Sequence, residues 1–368
     1  MYSVRPAAKG HRVRDWGVRT HGLVGGWVID GSSPVSPRTP RRGKSSRRVC
    51  TVTDLHTLGG SSSGALAINE SGEVVGWALT PAGVRQAVLW RVGEVVAVGT
   101  LPGKTRGQAW GINDPGVIVG ASSGYADQSD RAFVWQGGVM RELGALGGSA
   151  GSGSASAVNN RGQIVGGSFT GTDPLLSDHH AVLWDHDTIV DLGTLPEGNE
   201  SHAWRIDDAG LVVGVAQEAD GTDQAVLWDR GCIRRLGGLG GVSSVASAVS
   251  ASGEVVGAAY ATDGSCHAFL WRDGSMTDLG APDRSRQSWA YDINDAGQVV
   301  GSALVGSPPG VTYRAVLWQD GRMVDLNDLT DQAQGWELTS ARGINQRGQI
   351  AGTGLTGGEA HGFLLQLH

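Results

Sequence analysis

The chain has 368 residues, 60 of them Gly, with 40% apolar and 18% charged residues. That is too apolar for a disordered chain, it lacks the three-residue glycine period of collagen, and no apolar stretch nears the ~18 residues of a membrane-spanning helix. Residues 1–50 carry 11 Lys/Arg against 2 Asp/Glu, whereas residues 51–368 carry 18 against 34, so the acidic body is not expected to bind nucleic acid.

The N-terminal 50 residues hold a basic run at 40–48 and no clear repeat. They read as a solvated, disordered segment. No apolar run follows the first basic residues, so the chain as it stands carries no secretory signal. Cys50, Cys232 and Cys266 form neither a CxxC pair nor a disulfide framework. A cytoplasmic location is therefore expected, with export left open.

Residues 52–58 read as a lone strand, and from there the chain repeats. Ala87-Val88-Leu89-Trp90 recurs at Ala132–Trp135, Ala181–Trp184, Ala225–Trp228, Ala268–Trp271 and Ala315–Trp318, with a decayed copy at Gly362–Leu365. A Gly-x-Val-Val-Gly element keeps the same beat from Gly72–Gly76 to Gly348–Gly352, as do an Ile-Asn element (Asn69, Asn113, Asn159, Asp207, Ser250, Asn294, Asn345) and a Leu-Gly element. Each unit thus holds four short apolar segments separated by Gly, Asn and Asp, the pattern of strands and turns. Two connections per unit are tight and two are long. Seven such units predict an all-β, seven-bladed β-propeller with four antiparallel strands per blade, occupying 51–368 as one domain. The last unit, 342–368, lacks its fourth strand, and the lone strand at 52–58 supplies it, closing the ring from the N-terminal side.

His267-Ala268-Phe269-Leu270-Trp271, followed by Thr277-Asp278-Leu279-Gly280 and Ile293-Asn294-Asp295-Ala296-Gly297, resembles the HAF-repeat family, named for His-Ala-Phe. The resemblance covers 51–368. It implies a propeller-like fold and a bacterial protein, and almost no chemistry. The other copies depart at the first position, with Gln86, Arg131, His180, Gln224, Arg314 and His361.

Chemistry-bearing motifs are sparse. Asp178-His179-His180 and Asp185-His186-Asp187 crowd potential metal ligands, but His180 fills a slot that elsewhere takes Gln or Arg, which reads as a hydrogen-bonding position; no metal and no cofactor is expected. The Asp220–Asp223 loop lacks calcium spacing, the glycines of 147–153 lack a P-loop ending, and no Gly-x-Ser-x-Gly elbow occurs.

Variation inside the repeat is the better guide. Three residues before the Ile/Val of the Ile-Asn element stands Ala in every unit. The neighbouring slots vary: Trp110, Trp204, Tyr291 and Arg342 two residues before, Arg205 and Asp292 one before, His202 and Trp289 four before. If this is the innermost strand and its start faces the long loops, these side chains converge on one funnel mouth. An apolar concavity with a few polar groups is the pattern of a ligand site. The leading expectation is a monomeric binding module for a small molecule, glycan or peptide, with no membrane partner. A metal-independent lyase, hydrolase or cyclase is the alternative, with His202 or Asp292 as acid/base and Arg205 or Arg342 stabilising negative charge. A scaffold without a small ligand is a third reading. The tryptophans equally suit wedges between blades; Arg205 and Asp292, in a slot otherwise held by Ala or Gly, point to function, with a structural ion pair as the alternative.

Overall fold

The computed structural model describes residues 50–91, 93–124, 130–148, 151–172, 178–186, 188–282, 287–306 and 310–367; the basic segment before Cys50 lies outside them. Its strands form seven sheets of four, each antiparallel throughout. The expected seven-bladed propeller is what the chain folds into. Six blades take consecutive strands. Blade seven pairs Val52–Asp54 with the C-terminal strand Glu359–Gln366, Val52 opposite Leu365.

The innermost strands, blades one to seven, are Ser63–Ile68, Arg106–Ile112, Gly153–Val158, Ser201–Ile206, Gly240–Val249, Ser288–Ile293 and Trp336–Ile344. Each runs from the long-loop face to a tight turn. In blade six that turn is Asn294–Gln298: Asn294 Oδ1 accepts the Gln298 amide at 3.0 Å, and Gly297 takes φ +73°. The third-to-fourth strand turns are equally short. Asp273 and Gly274 both have positive φ, which matches the twist of the flanking strands.

The core lies between blades rather than within them. One cluster joins Val75, Ala87 and Leu89 of blade one to Ala109, Ile118 and Phe133 of blade two. Another joins Leu55 and Ala351 of blade seven to Ala65 and Val74 of blade one. Third-strand tryptophans add polar ties: Trp184 Nε1 donates to the Gly144 carbonyl at 2.7 Å and Trp318 Nε1 to Leu279 at 3.0 Å, each in the preceding blade. Among the described residues no helix is long and apolar enough to cross a membrane.

A second set of ties runs around the tight-turn face. The Asn69 side-chain amide donates to the Asn113 carbonyl, Asn113 to Asn159, Asn159 to Asp207, Asn294 to Asn345, and Asn345 back to Asn69, at 2.9–3.2 Å. One residue further on, side-chain oxygens accept the preceding blade's amide: Asp114 from Glu70, Asn160 from Asp114, Asp208 from Asn160, Asp295 from Ala251, Gln346 from Asp295 and Glu70 from Gln346. Among the described residues the first ring lacks the step from blade five to blade six, where Ser250 has no side-chain amide, and both rings miss the step from blade four to blade five. There Asp207 has no amide to donate and Ala251 no oxygen to offer.

Asp207 Oδ1 already accepts the Leu211 amide at 2.7 Å, as Asn113 Oδ1 accepts that of Val117. Asp207→Asn keeps that bond and adds the missing donor toward Ser250. It is expected to stabilise the fold by about 0.5–1.5 kcal/mol, the net worth of one hydrogen bond, seen as a higher melting temperature. An unchanged or lower value would show that the gap is not a missing donor.

Candidate functional site

Every innermost strand carries a β-bulge just after its Ala. The register jumps between Ala65 and Ala67, Ala109 and Gly111, Ala155 and Ala157, Ala203 and Arg205, Ala246 and Ala248, Ala290 and Asp292, and Ala341 and Gly343. The residues left opposite no partner are Leu66, Trp110, Ser156, Trp204, Ser247, Tyr291 and Arg342. A bulge re-aims its side chain, and these lie on the sheet edge that faces the axis. The glycine opposite has a steric reason. A Cβ on Gly214 would lie 2.0 Å from the His202 carbonyl oxygen, and one on Gly301 1.9 Å from that of Trp289.

Blades four to seven bring several candidates together. Arg205 Nη2 lies 2.9 Å from Asp292 Oδ1, linking blade four to blade six past the small Ser247 and Ala248 of blade five. Asp292 Oδ2 accepts the Ile344 amide of blade seven at 3.0 Å. Burial pushes the Asp292 carboxyl upward, opposed by the Arg205 charge and the backbone amides. The two side chains retain only 23% and 15% exposure. Arg342 stands over the Tyr291 ring at 4.1 Å. Trp204, Trp289 and Tyr291 meet in one apolar cluster with Val215, Val245 and Cys266, and burial raises the Cys266 thiol to about 12. Trp110 stands apart, in blade two.

These residues do not share one mouth. His202 and Trp289 are the second residues of their strands, toward the long loops, whereas Arg205 and Asp292 are next to last, beside the tight turns. The ion-pair reading of Arg205 and Asp292 is the one the geometry contains.

His202 sits in the wall between blades three and four. Its Nε2 is 2.9 Å from Ser156 Oγ, its ring stacks on His179 at 5.3 Å, and Trp204 packs against it at 4.1 Å. Gly167 makes the room, since a Cβ there would approach His179 Cε1 to 2.1 Å and His202 Nδ1 to 2.4 Å. Burial lowers His179 to about 4, and burial followed by the His179 charge holds His202 well below the usual histidine range. His179 was legible only as part of an Asp-His-His run, and Gly167, one step past the repeat glycine, was the sequence signal for the space. The slot that His180 fills is a hydrogen-bonding position: His180 Nδ1 lies 2.8 Å from Asp191, His267 Nδ1 2.7 Å from Asp278, and Arg131 3.3 Å from Glu142.

No family model and no curated protein matches the chain. Solved structures do. The β-propeller domain of the Trilobed protease from Pyrococcus furiosus, described with an open velcro topology, aligns at TM-score 0.52 and 10% identity over 86% of this chain and 95% of that one. A puromycin-hydrolyzing peptidase from Mycobacterium tuberculosis aligns at 0.53 and 12% over 87% and 56%. Pyrococcus horikoshii acylaminoacyl peptidase aligns at 0.52 and 10% over 80% and 50%. This chain thus spans about half of each of those two peptidases. The likeness is one of fold.

The stacked imidazoles set a pH dependence. Both are held below their ordinary value of 6.5, so the stability they contribute is present above that pH and is lost as pH falls from 6.5 toward 4. His179, lowered to about 4, accounts for about 1.4 kcal/mol per pH unit in that window, and His202 acts in the same direction. Melting of His179→Asn against pH is expected to show a slope shallower by about one proton than the parent's. An unchanged slope would contradict the buried neutral pair.

Proposed function

We propose that the propeller is a binding module that takes a small molecule, glycan or peptide in its central channel, against the wall formed by blades four to seven. The observation that carries this reading is the contrast between neighbouring slots. The Ala before each bulge is fully buried in all seven blades, while the bulge positions hold Trp204, Tyr291 and Arg342 in blades four, six and seven, with Trp110 in blade two and Leu or Ser in the other three. Aromatic faces with a guanidinium beside them are a common recognition surface. The enzyme reading has less support, because Asp292 is engaged by Arg205 and the Ile344 amide and His202 is packed between blades.

Membership of the HAF-repeat class is part of the same proposal. Phe133, Phe269 and Phe363 of the His-Ala-Phe positions are fully buried in blade-to-blade clusters. A reducing, cytoplasmic compartment and a monomeric state belong to the same proposal, the first in keeping with the free Cys50, Cys232 and Cys266.

The test is a thermal-shift screen of monosaccharides, oligosaccharides and short peptides, repeated on Arg342→Ala and Trp204→Ala. A ligand at a hundredfold excess over its Kd is expected to stabilise the parent by about 2.7 kcal/mol, and the two variants should keep their fold and lose that gain. Trp271→Ala, in the core, serves as the unfolding control. Were Trp204→Ala to melt as early as that control, Trp204 would be a wedge. Undiminished binding by both variants would place the site elsewhere.

A further inference from the structure

Each blade ends in an outer strand with a row of backbone groups on its open edge, and six of these strands carry a charge at the same register. Glu142 faces Phe133, Asp191 faces Val182, Arg235 faces Val226, Asp278 faces Phe269, Asp325 faces Val316 and Asp54 faces Phe363. Each charge is tied down. Arg131 holds Glu142, His180 Asp191, His267 Asp278, Arg314 Asp325 and His361 Asp54, all across the two outer strands, while Arg235 pairs with Glu218. In blades three and five the carboxylate also secures the register jump beside it, accepting the Gly193 amide at 2.8 Å and the Gly280 amide at 2.7 Å. A strand added to such an edge has to strip water from these pairs, and charges on edge strands oppose the addition of further strands.

Blade one departs from the pattern. Its outer strand, Glu94–Gly99, is the last in its sheet. The residue facing Val88 is Ala97, and Gln86 fills the slot that His or Arg takes in five other blades. Neither side chain is charged, and Ala97 has no side-chain oxygen for the Gly99 amide. Val95, Val96 and Val98 suit an extended backbone, and Ala97 is exposed. The strand's one charge, Glu94, stands at its start, where Arg91 holds it at 3.0 Å.

We propose that the outer edge of blade one is a docking edge for an extended segment of another protein, which adds to the sheet as a further strand. A row of alternating backbone donors and acceptors is matched by another strand. The edge offers no charge from Val95 to Gly99, so the segment that fits it is uncharged over that stretch and rich in β-branched residues. A second copy of the chain carries the same edge, but two bodies with 18 Lys/Arg against 34 Asp/Glu repel each other. The edge lies across the blade from the channel and stands whether or not the channel binds a ligand.

The test uses a short dye-labelled peptide of alternating Val and Thr. Its control is the same peptide N-methylated at alternate residues, which keeps the side chains and removes backbone donors. Fluorescence anisotropy reads affinity, and peptide-resolved hydrogen exchange reads the place. The plain peptide is expected to bind saturably and to slow exchange in Glu94–Gly99 but not in Thr188–Gly193. Ala97→Asp combined with Gln86→His recreates the pair of blades three and five and should weaken binding about tenfold. Should that variant fail to fold, the reverse change in blade three, Asp191→Ala with His180→Gln, is expected to add protection at Thr188–Gly193. Absence of saturable binding, equal binding of the N-methylated peptide, or undiminished affinity in the Ala97→Asp, Gln86→His variant would overturn the proposal. Protection of Glu94–Gly99 that grows with protein concentration alone would assign the edge to a second copy and overturn it as well.

Discussion

The ring is held shut by one repeated interaction, the donation from an Asn side-chain amide at the end of an innermost strand to the matching carbonyl of the next blade. The three C-terminal strands of blade seven have no peptide link to blade one, which the chain reaches only through the segment from Val52–Asp54 to Ser63–Ile68. Yet Asn345 reaches Asn69 at 3.1 Å just as Asn69 reaches Asn113, so the closing junction is built like the others. Leu55 and Ala351 add the packing that every junction has. The donating Asn side chains are all buried, and a buried polar group without a partner costs as much as a lost hydrogen bond. The belt therefore fixes the spacing of the blades on the tight-turn face, and with it the width of the channel.

The departures from the repeat gather where the belt is interrupted. Asp207 and Ala251 remove both ties between blades four and five. That is the sector crossed by the Arg205–Asp292 pair, whose carboxylate also takes the Ile344 amide and so draws blades four, six and seven together. Trp204, Trp289 and Tyr291 fill the same sector with apolar surface. A large side chain at a bulge needs space that small neighbours leave, and Ser247 with Ala248 leave it in blade five.

Much of this was open to the sequence. The four-strand period, the Asx turns, the buried Ala and the two partial units determine the propeller and its closure, because each follows from local sterics. The fate of the variable residues was harder to read. A bulge shifts the alternation of faces within one strand, so counting along the strand does not reveal that His202 meets Trp204 or that Trp289 and Tyr291 share one apolar cluster with it. Nothing in a one-dimensional period marks that switch except the Gly opposite, whose meaning is steric. The partnership of Arg205 with Asp292 skips a whole blade, so a one-dimensional repeat does not mark it, and the otherwise small slot that holds them points to a binding role instead.

Hydrogen exchange on Arg205→Ala, resolved by peptide and compared with the parent, addresses the central claim most directly. If this ion pair spans the two steps that the Asn belt lacks, exchange should quicken selectively in the innermost strands of blades four to six, Ser201–Ile206, Gly240–Val249 and Ser288–Ile293, and stay unchanged at the closing pair Val52–Asp54 and Glu359–Gln366. Exchange that quickens first at the closing pair, or evenly around the ring, would contradict it.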